Sequence, residues 1–166
     1  MTPPTSIFVT VGTQGPFDRL VRAVDAWAAA RGEASVFAQI GRGAEPPAHI
    51  RWAESVSPSE FLEHIRSARA VVSHAGMGTI ITALDHGKPI LLLPRRADLG
   101  EQRNDHQLAT ARRFLELGRA RVAFEPSEVG SQLDAMLSDA AAGAGVSPPS
   151  PALIEAIASF IHGGAR

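Results

Sequence analysis

The stretch 70-AVVSHAGMGTIITALDHGKPILLL-93 decides how this chain is read. Ala70 to Ser73 is a short apolar, β-branched run, the pattern of a buried strand. It breaks at His74-Ala75-Gly76-Met77-Gly78-Thr79. Ile80 to His86 then reads as an apolar helix closed by Gly87, and Lys88-Pro89 leads into a second buried strand, Ile90 to Leu93. Strand, glycine turn, helix and strand make a βαβ unit, whose ligands sit beyond the carboxyl ends of the strands.

The turn carries the chemistry. Gly76 and Gly78 allow either a positive φ or close approach of a ligand to the backbone. Thr79 is placed to cap the helix or donate its hydroxyl. The first amides of the helix point outward with the positive end of the dipole behind them, an arrangement suited to phosphate. His74, at the strand end, can donate from its ring to a phosphate oxygen. The same residues also fit an ordinary βα turn with a capping threonine and a hydrogen-bonded surface histidine.

Working outward, Ile7 to Val11 is a first strand, ending in a second glycine loop, Gly12-Thr13-Gln14-Gly15-Pro16. Phe17 to Ala30 has helical spacing of Phe17, Leu20, Val21, Val24, Trp27 and Ala28, and stops at Arg31-Gly32. Val36 to Ile40 and His49 to Trp52 read as strands. Ser57-Pro58-Ser59-Glu60 is a capping box with proline at the first position, opening a helix that runs to about Ser67.

Downstream, Glu101 to Leu117 reads as a long helix ended by Gly118, Ala120 to Phe124 as a last strand, and Pro126 opens a helix with Val129, Leu133 and Met136 on one face. Residues 6–138 then form one domain. Residues 139–150 are small and Gly/Pro-rich, as a flexible linker would be. Residues 151–162 form an amphipathic helix through Leu153, Ile154, Ile157, Phe160 and Ile161. That helix either docks on its own sheet or receives a partner.

About six strands alternate with as many helices, which predicts an α/β fold with a doubly wound, mostly parallel sheet covered on both faces. The two glycine loops, after the first and fourth strands, would flank the point where strand order reverses. Both signals converge on one crevice for an anionic, nucleotide-type ligand.

The chain has 166 residues, 45% hydrophobic and 20% charged, enough for a single domain with a core. Sixteen Lys+Arg against 17 Asp+Glu give a net charge of -1, which argues against nucleic acid as a partner. There is no cysteine, and the six histidines are scattered, so no metal site is expected. The N-terminal residues lack the pattern of a signal peptide, and no apolar run approaches the ~20 residues of a membrane span. No nucleophile elbow or Ser-His-Asp set is visible.

The ordered set VTVGTQGPFDRLV, SHAGMGT, GKPILLLPRR and NDHQ, over about Ile7 to Phe124, resembles the family-28 C-terminal domain, the donor-binding half of GT-B glycosyltransferases. It is similar to the soluble subunit of the dolichol-linked N-acetylglucosaminyltransferase, and more so to PssE-type subunits of bacterial exopolysaccharide glycosyltransferases. The resemblance implies a Rossmann-like domain that binds a UDP-sugar as substrate, with no further cofactor. By that resemblance Gly12, Thr13, Gln14 and Gly15 lie under the diphosphate, and Val56 holds the uracil edge through its backbone. His74, Gly76, Met77, Gly78 and Thr79 bind the diphosphate, while Asn104, His106 and Gln107 contact sugar hydroxyls, which amide and imidazole groups suit. Arg95 and Arg96 would face a uronate carboxylate or the diphosphate, or else stay solvated. Thr82 stands where many such domains carry a ribose-binding Glu, and its hydroxyl has a shorter, uncharged reach.

The resemblance further implies a half enzyme. The expected function is the donor-binding subunit of a two-component inverting transferase that acts on a lipid-diphosphate-linked saccharide in exopolysaccharide synthesis, with glucuronate as the expected sugar. A membrane-associated partner would supply the acceptor site, so the chain would be cytoplasmic and peripheral to the inner membrane. No catalytic residue is assignable in this half. The alternatives are a non-catalytic activating or stabilising partner of a catalytic chain, and a stand-alone nucleotide-sensing module.

Overall fold

The computed structural model describes residues 6–33, 35–141 and 150–163. Its strands are β1 (Ile7–Thr10), β2 (Val36–Gln39), β3 (Arg51–Ala53), β4 (Ala70–Ser73), β5 (Ile90–Leu92) and β6 (Arg121–Val122). Its helices are α1 (Asp18–Arg31), α2 (Pro58–Ser67), α3 (Met77–Asp85), α4 (His106–Glu116), α5 (Val129–Ala141) and α6 (Pro151–Gly163), with a 3-10 turn at Pro126–Glu128. The six strands form one sheet in the order β3-β2-β1-β4-β5-β6. Every pairing is parallel. This is the doubly wound, Rossmann-like order, and it reverses between β1 and β4.

Strand alternation divides the core into two layers. Ile7 and Val9 of β1 face α1 and α5, packing with Leu20, Val24, Trp27, Leu133 and Met136. Phe8 faces the other way, with Ile65 of α2, Ile80 and Leu84 of α3 and Phe114 of α4. The α1–α5 layer is pinned by a partly buried polar tie: Trp27 Nε1 donates to Asp134 Oδ1 at 2.8 Å. The capping box of α2 is present, with Ser57 Oγ accepting from the Glu60 amide and Glu60 Oε2 accepting from the Ser57 amide at 2.6 Å.

Several boundaries differ from expectation. α3 begins at Met77, one turn before Ile80, because its N-cap is Gly76. Thr79 therefore lies inside the first turn, 8% exposed, and does not cap the helix. Residues 101–105 are not helical. Asp105 Oδ1 accepts from the Ala97 amide and Asn104 Oδ1 from the His106 amide, so side chains fold this segment into a loop and α4 starts only at His106. β3 starts at Arg51 because Asp25 takes the amides of His49 and Ile50. β6 is only two residues long.

The expected linker begins inside α5, which runs to Ala141, and its residues 142–149 lie outside the described residues. Along α6, Leu153 is buried and Ile157 packs against the Phe8 layer, while Ile154 is 57% exposed. Among the described residues no helix is long and apolar enough to cross a membrane.

Candidate functional site

Because β1 and β4 are neighbours in register, with Thr10 opposite Ser73, their carboxyl ends rise together. The His74 amide donates across the pair to the Thr10 carbonyl. The Gly12–Pro16 loop and the His74–Gly76 turn therefore share one crevice at the switch point. Gly12 and Gly15 take φ of 79° and 98°, which lets the first loop fold back over the sheet edge.

Two buried glutamines tie the strand-end loops together. Gln39, at the end of β2, accepts from Thr10 Oγ1 at 2.7 Å, and its amide nitrogen donates to the carbonyls of Gly12 and Glu54 at 3.2 Å each. That joins the loops after β1, β2 and β3. Gln107, in the first turn of α4 and 4% exposed, accepts from the amides of Ala75 at 3.1 Å and Arg95 at 3.0 Å. Its amide nitrogen lies 3.3 Å from His74 Nδ1. That joins the loops after β4 and β5.

Arg95 closes the frame from the β5 side. Its guanidinium donates to the carbonyls of Val11 and Gly15 at 2.8 Å and of Pro16 at 3.0 Å, and it lies 4.9 Å from the centroid of the Phe17 ring. The side chain is 2% exposed. The expected anion contacts of Arg95 and Arg96 thus give way to ties within the chain. Arg95 is spent on loop carbonyls, and Arg96 pairs with Asp98 at 2.6 Å and Glu125 at 3.0 Å. The Gln107 amide is likewise engaged within the chain, its oxygen by two backbone amides and its nitrogen by His74.

His74 sits between the two glycine loops. A Cβ on Gly12 would stand 2.5 Å from His74 Nε2, and one on Gly76 would overlap the same ring. Gly76 has an ordinary φ of -90°, so its lack of a side chain serves the ring rather than a special backbone conformation. Burial, reinforced by the Arg95 charge, pushes the His74 pKa down to about 4, so the ring is neutral at pH 7.

The N-terminus of α3 has no side-chain cap. Its first intrahelical bond is from the Ile80 amide to the Gly76 carbonyl, at 3.1 Å. The amides of Met77, Gly78 and Thr79 have no intrahelical acceptor, which is the geometry of an anion-binding helix end. Gly78 is exposed and a Cβ there would meet nothing within 4 Å.

The remaining expected residues lie around this crevice at the same sheet edge. Thr13 and Gln14 are exposed at the crest of the first loop, and Val56 is partly buried after β3, just past the Glu54 carbonyl held by Gln39. Asn104 and His106 are exposed at the start of α4. Thr82 donates its hydroxyl back to the Gly78 carbonyl at 2.7 Å. Sequence reasoning missed Gln39. Its signal was a single polar residue within the otherwise apolar run Val36-Phe37-Ala38-Gln39-Ile40. Among the described residues no group of His, Asp and Glu has the arrangement of a metal site.

Comparison with known proteins agrees with this architecture. Residues 6–149 match the Glycosyltransferase family 28 C-terminal domain. Over 128 residues the chain is 31% identical to the UDP-N-acetylglucosamine transferase subunit ALG13 of Homo sapiens, a match covering 68% of this chain and 10% of that protein. Among solved structures, the glycotransferase of kitacinnamycin superposes with a TM-score of 0.65 at 22% identity, covering 85% of this chain and 37% of that one. The calicheamicin glycosyltransferase CalG4 superposes with a TM-score of 0.60 at 21% identity, covering 84% and 36%. The chain thus spans about a third of these two transferases, and at such identities they speak for the fold alone.

Proposed function

Because this chain belongs to the glycosyltransferase family 28 C-terminal domain family, we propose that it binds a UDP-sugar as the donor-side subunit of a two-chain, inverting glycosyltransferase. The observation that carries this reading is the crevice between β1 and β4, where two glycine loops and the uncapped amides of α3 face one space. The similarity to a protein described as a transferase subunit supports the two-chain form.

In this reading the diphosphate lies on the amides of Met77, Gly78 and Thr79, with His74 beside it and the Gly12–Gly15 loop beneath. The base rests against the backbone at Val56, and Asn104 and His106 meet the sugar. The positive end of α3 offsets charge on the leaving diphosphate. Acceptor and catalytic base come from the partner chain. The finer form, glucuronate transfer to a lipid-diphosphate-linked saccharide in exopolysaccharide synthesis at a membrane-associated partner, rests on the resemblance alone. The internal commitment of Arg95 and Arg96 removes the residues that would have favoured a uronate.

A second reading is a non-catalytic partner that stabilises or activates a catalytic chain. Thr82 favours it, since a hydroxyl already donating to Gly78 offers a ribose far less than a carboxylate would.

Calorimetric titration of the chain with UDP and with several UDP-sugars separates the two. Weak binding, with a transfer assay after co-purification of the partner identifying the sugar, supports the first. No heat at millimolar ligand overturns it and leaves the second.

A further inference from the structure

We propose that Gln107 is a positioning residue that holds His74 in the tautomer protonated on Nε2, so that one N–H is presented on the Gly12 side of the crevice. The orientation of the Gln107 amide follows from its partners. Its oxygen accepts from two backbone amides, Ala75 and Arg95, at 3.1 and 3.0 Å. Turning the amide over would set an NH2 group against two N–H donors and leave both unpaired in a buried site. The NH2 group is therefore the end that faces His74 Nδ1, at 3.3 Å. An NH2 group only donates, so Nδ1 must accept, and the single proton of the neutral ring resides on Nε2.

Nε2 is the ring atom nearest a Cβ built on Gly12. Among the described residues it has no hydrogen-bond partner, so its proton is left for a group lying over the Gly12 loop. An imidazolium would turn a second N–H against the Gln107 NH2 group, two donors face to face. Exclusion of that form agrees with the burial of the ring beside Arg95. Gln107 thus acts through His74 rather than on a ligand. The tautomer stands on this chain's own hydrogen bonds; its use as a phosphate donor rests on the function proposed above.

Long-range proton–nitrogen NMR of the full chain, labelled at histidine, reads the tautomer directly at pH 7. Wild type should show a protonated Nε2 and an unprotonated Nδ1. In Gln107→Glu one carboxylate oxygen keeps the two backbone amides while the other faces the ring as an acceptor, so the proton should appear on Nδ1. A wild-type ring protonated on Nδ1, or a folded Gln107→Glu with the wild-type spectrum, overturns the proposal. If Gln107→Glu does not fold, the wild-type spectrum alone decides. In a UDP titration, Gln107→Glu should bind at least about tenfold more weakly. Equal affinity in the two folded proteins overturns the positioning role. If wild type binds no UDP, the function proposed above fails, while the tautomer is still decided by the spectrum.

Discussion

The ring of His74 fills the space that a Cβ on Gly76 would need. The two residues are one sterically coupled unit, and the ring cannot swing clear without breaking its contact with Gln107. Gly76→Ala should therefore cost about 1–3 kcal/mol, the usual range for overpacking a filled site. In a His74→Ala background the same change should cost at least about 1 kcal/mol less, because the obstacle is gone and only the poorer N-capping of alanine remains. Denaturant melts of the four proteins in this cycle measure the coupling, and additive costs would show that the ring relaxes freely.

The buried ring also predicts an acid-sensitive fold. His74 titrates at about 4 in the folded chain against 6.5 when exposed. As pH falls through that interval the unfolded chain takes up a proton that the folded ring refuses, so stability drops. The loss amounts to about 3 kcal/mol and is complete below the folded value. His74→Asn should flatten the pH dependence of stability across this window, measured by urea melts at several pH values. An unchanged slope would show that other groups govern it.

Arg95 and Arg96 are adjacent in sequence but opposite in consequence. Arg95→Met leaves the carbonyls of Val11, Gly15 and Pro16 without their donor, and should cost about 2–4 kcal/mol with faster amide exchange across residues 11–16. Arg96→Ala removes pairs with the exposed Asp98 and Glu125 and should cost under about 1 kcal/mol. Thermal melts with hydrogen exchange check both. Comparable costs would contradict the structural division between them.

Gly78 offers a clean separation of fold from binding. Its Cβ direction is open and valine is no worse a helix former than glycine, so Gly78→Val should fold with stability within about 1 kcal/mol of wild type. The isopropyl group would project where the proposed diphosphate approaches, and UDP binding should fall below detection. Calorimetry on the folded variant tests this, and wild-type affinity would move the site elsewhere.

How much was legible in the sequence depends on what carried each feature. The alternating strands and helices declared themselves through periodicity, and the capping box of α2 through local chemistry, so the sheet and its switch point were readable. Boundaries failed where a side chain competes with the backbone. Asn104 and Asp105 unwind the start of α4, and Asp25 delays β3, both through contacts that no periodicity records. The loops expected to form the crevice lie at one end of the sheet, and their residues divide by burial. Arg95 and Gln107 looked like surface recognition groups, yet each reaches loops 12 or more positions away, a pairing visible only once the strands are ordered.

The two glutamine ties carry one last consequence. Each is made of an uncharged amide, and the Arg95 guanidinium that completes the frame is buried against neutral carbonyls, so ionic strength and mild titration weaken these ties little. Added salt would screen an incoming anion while leaving its cradle intact. The salt dependence of binding would then count the charge of the ligand itself, undisturbed by any softening of the walls.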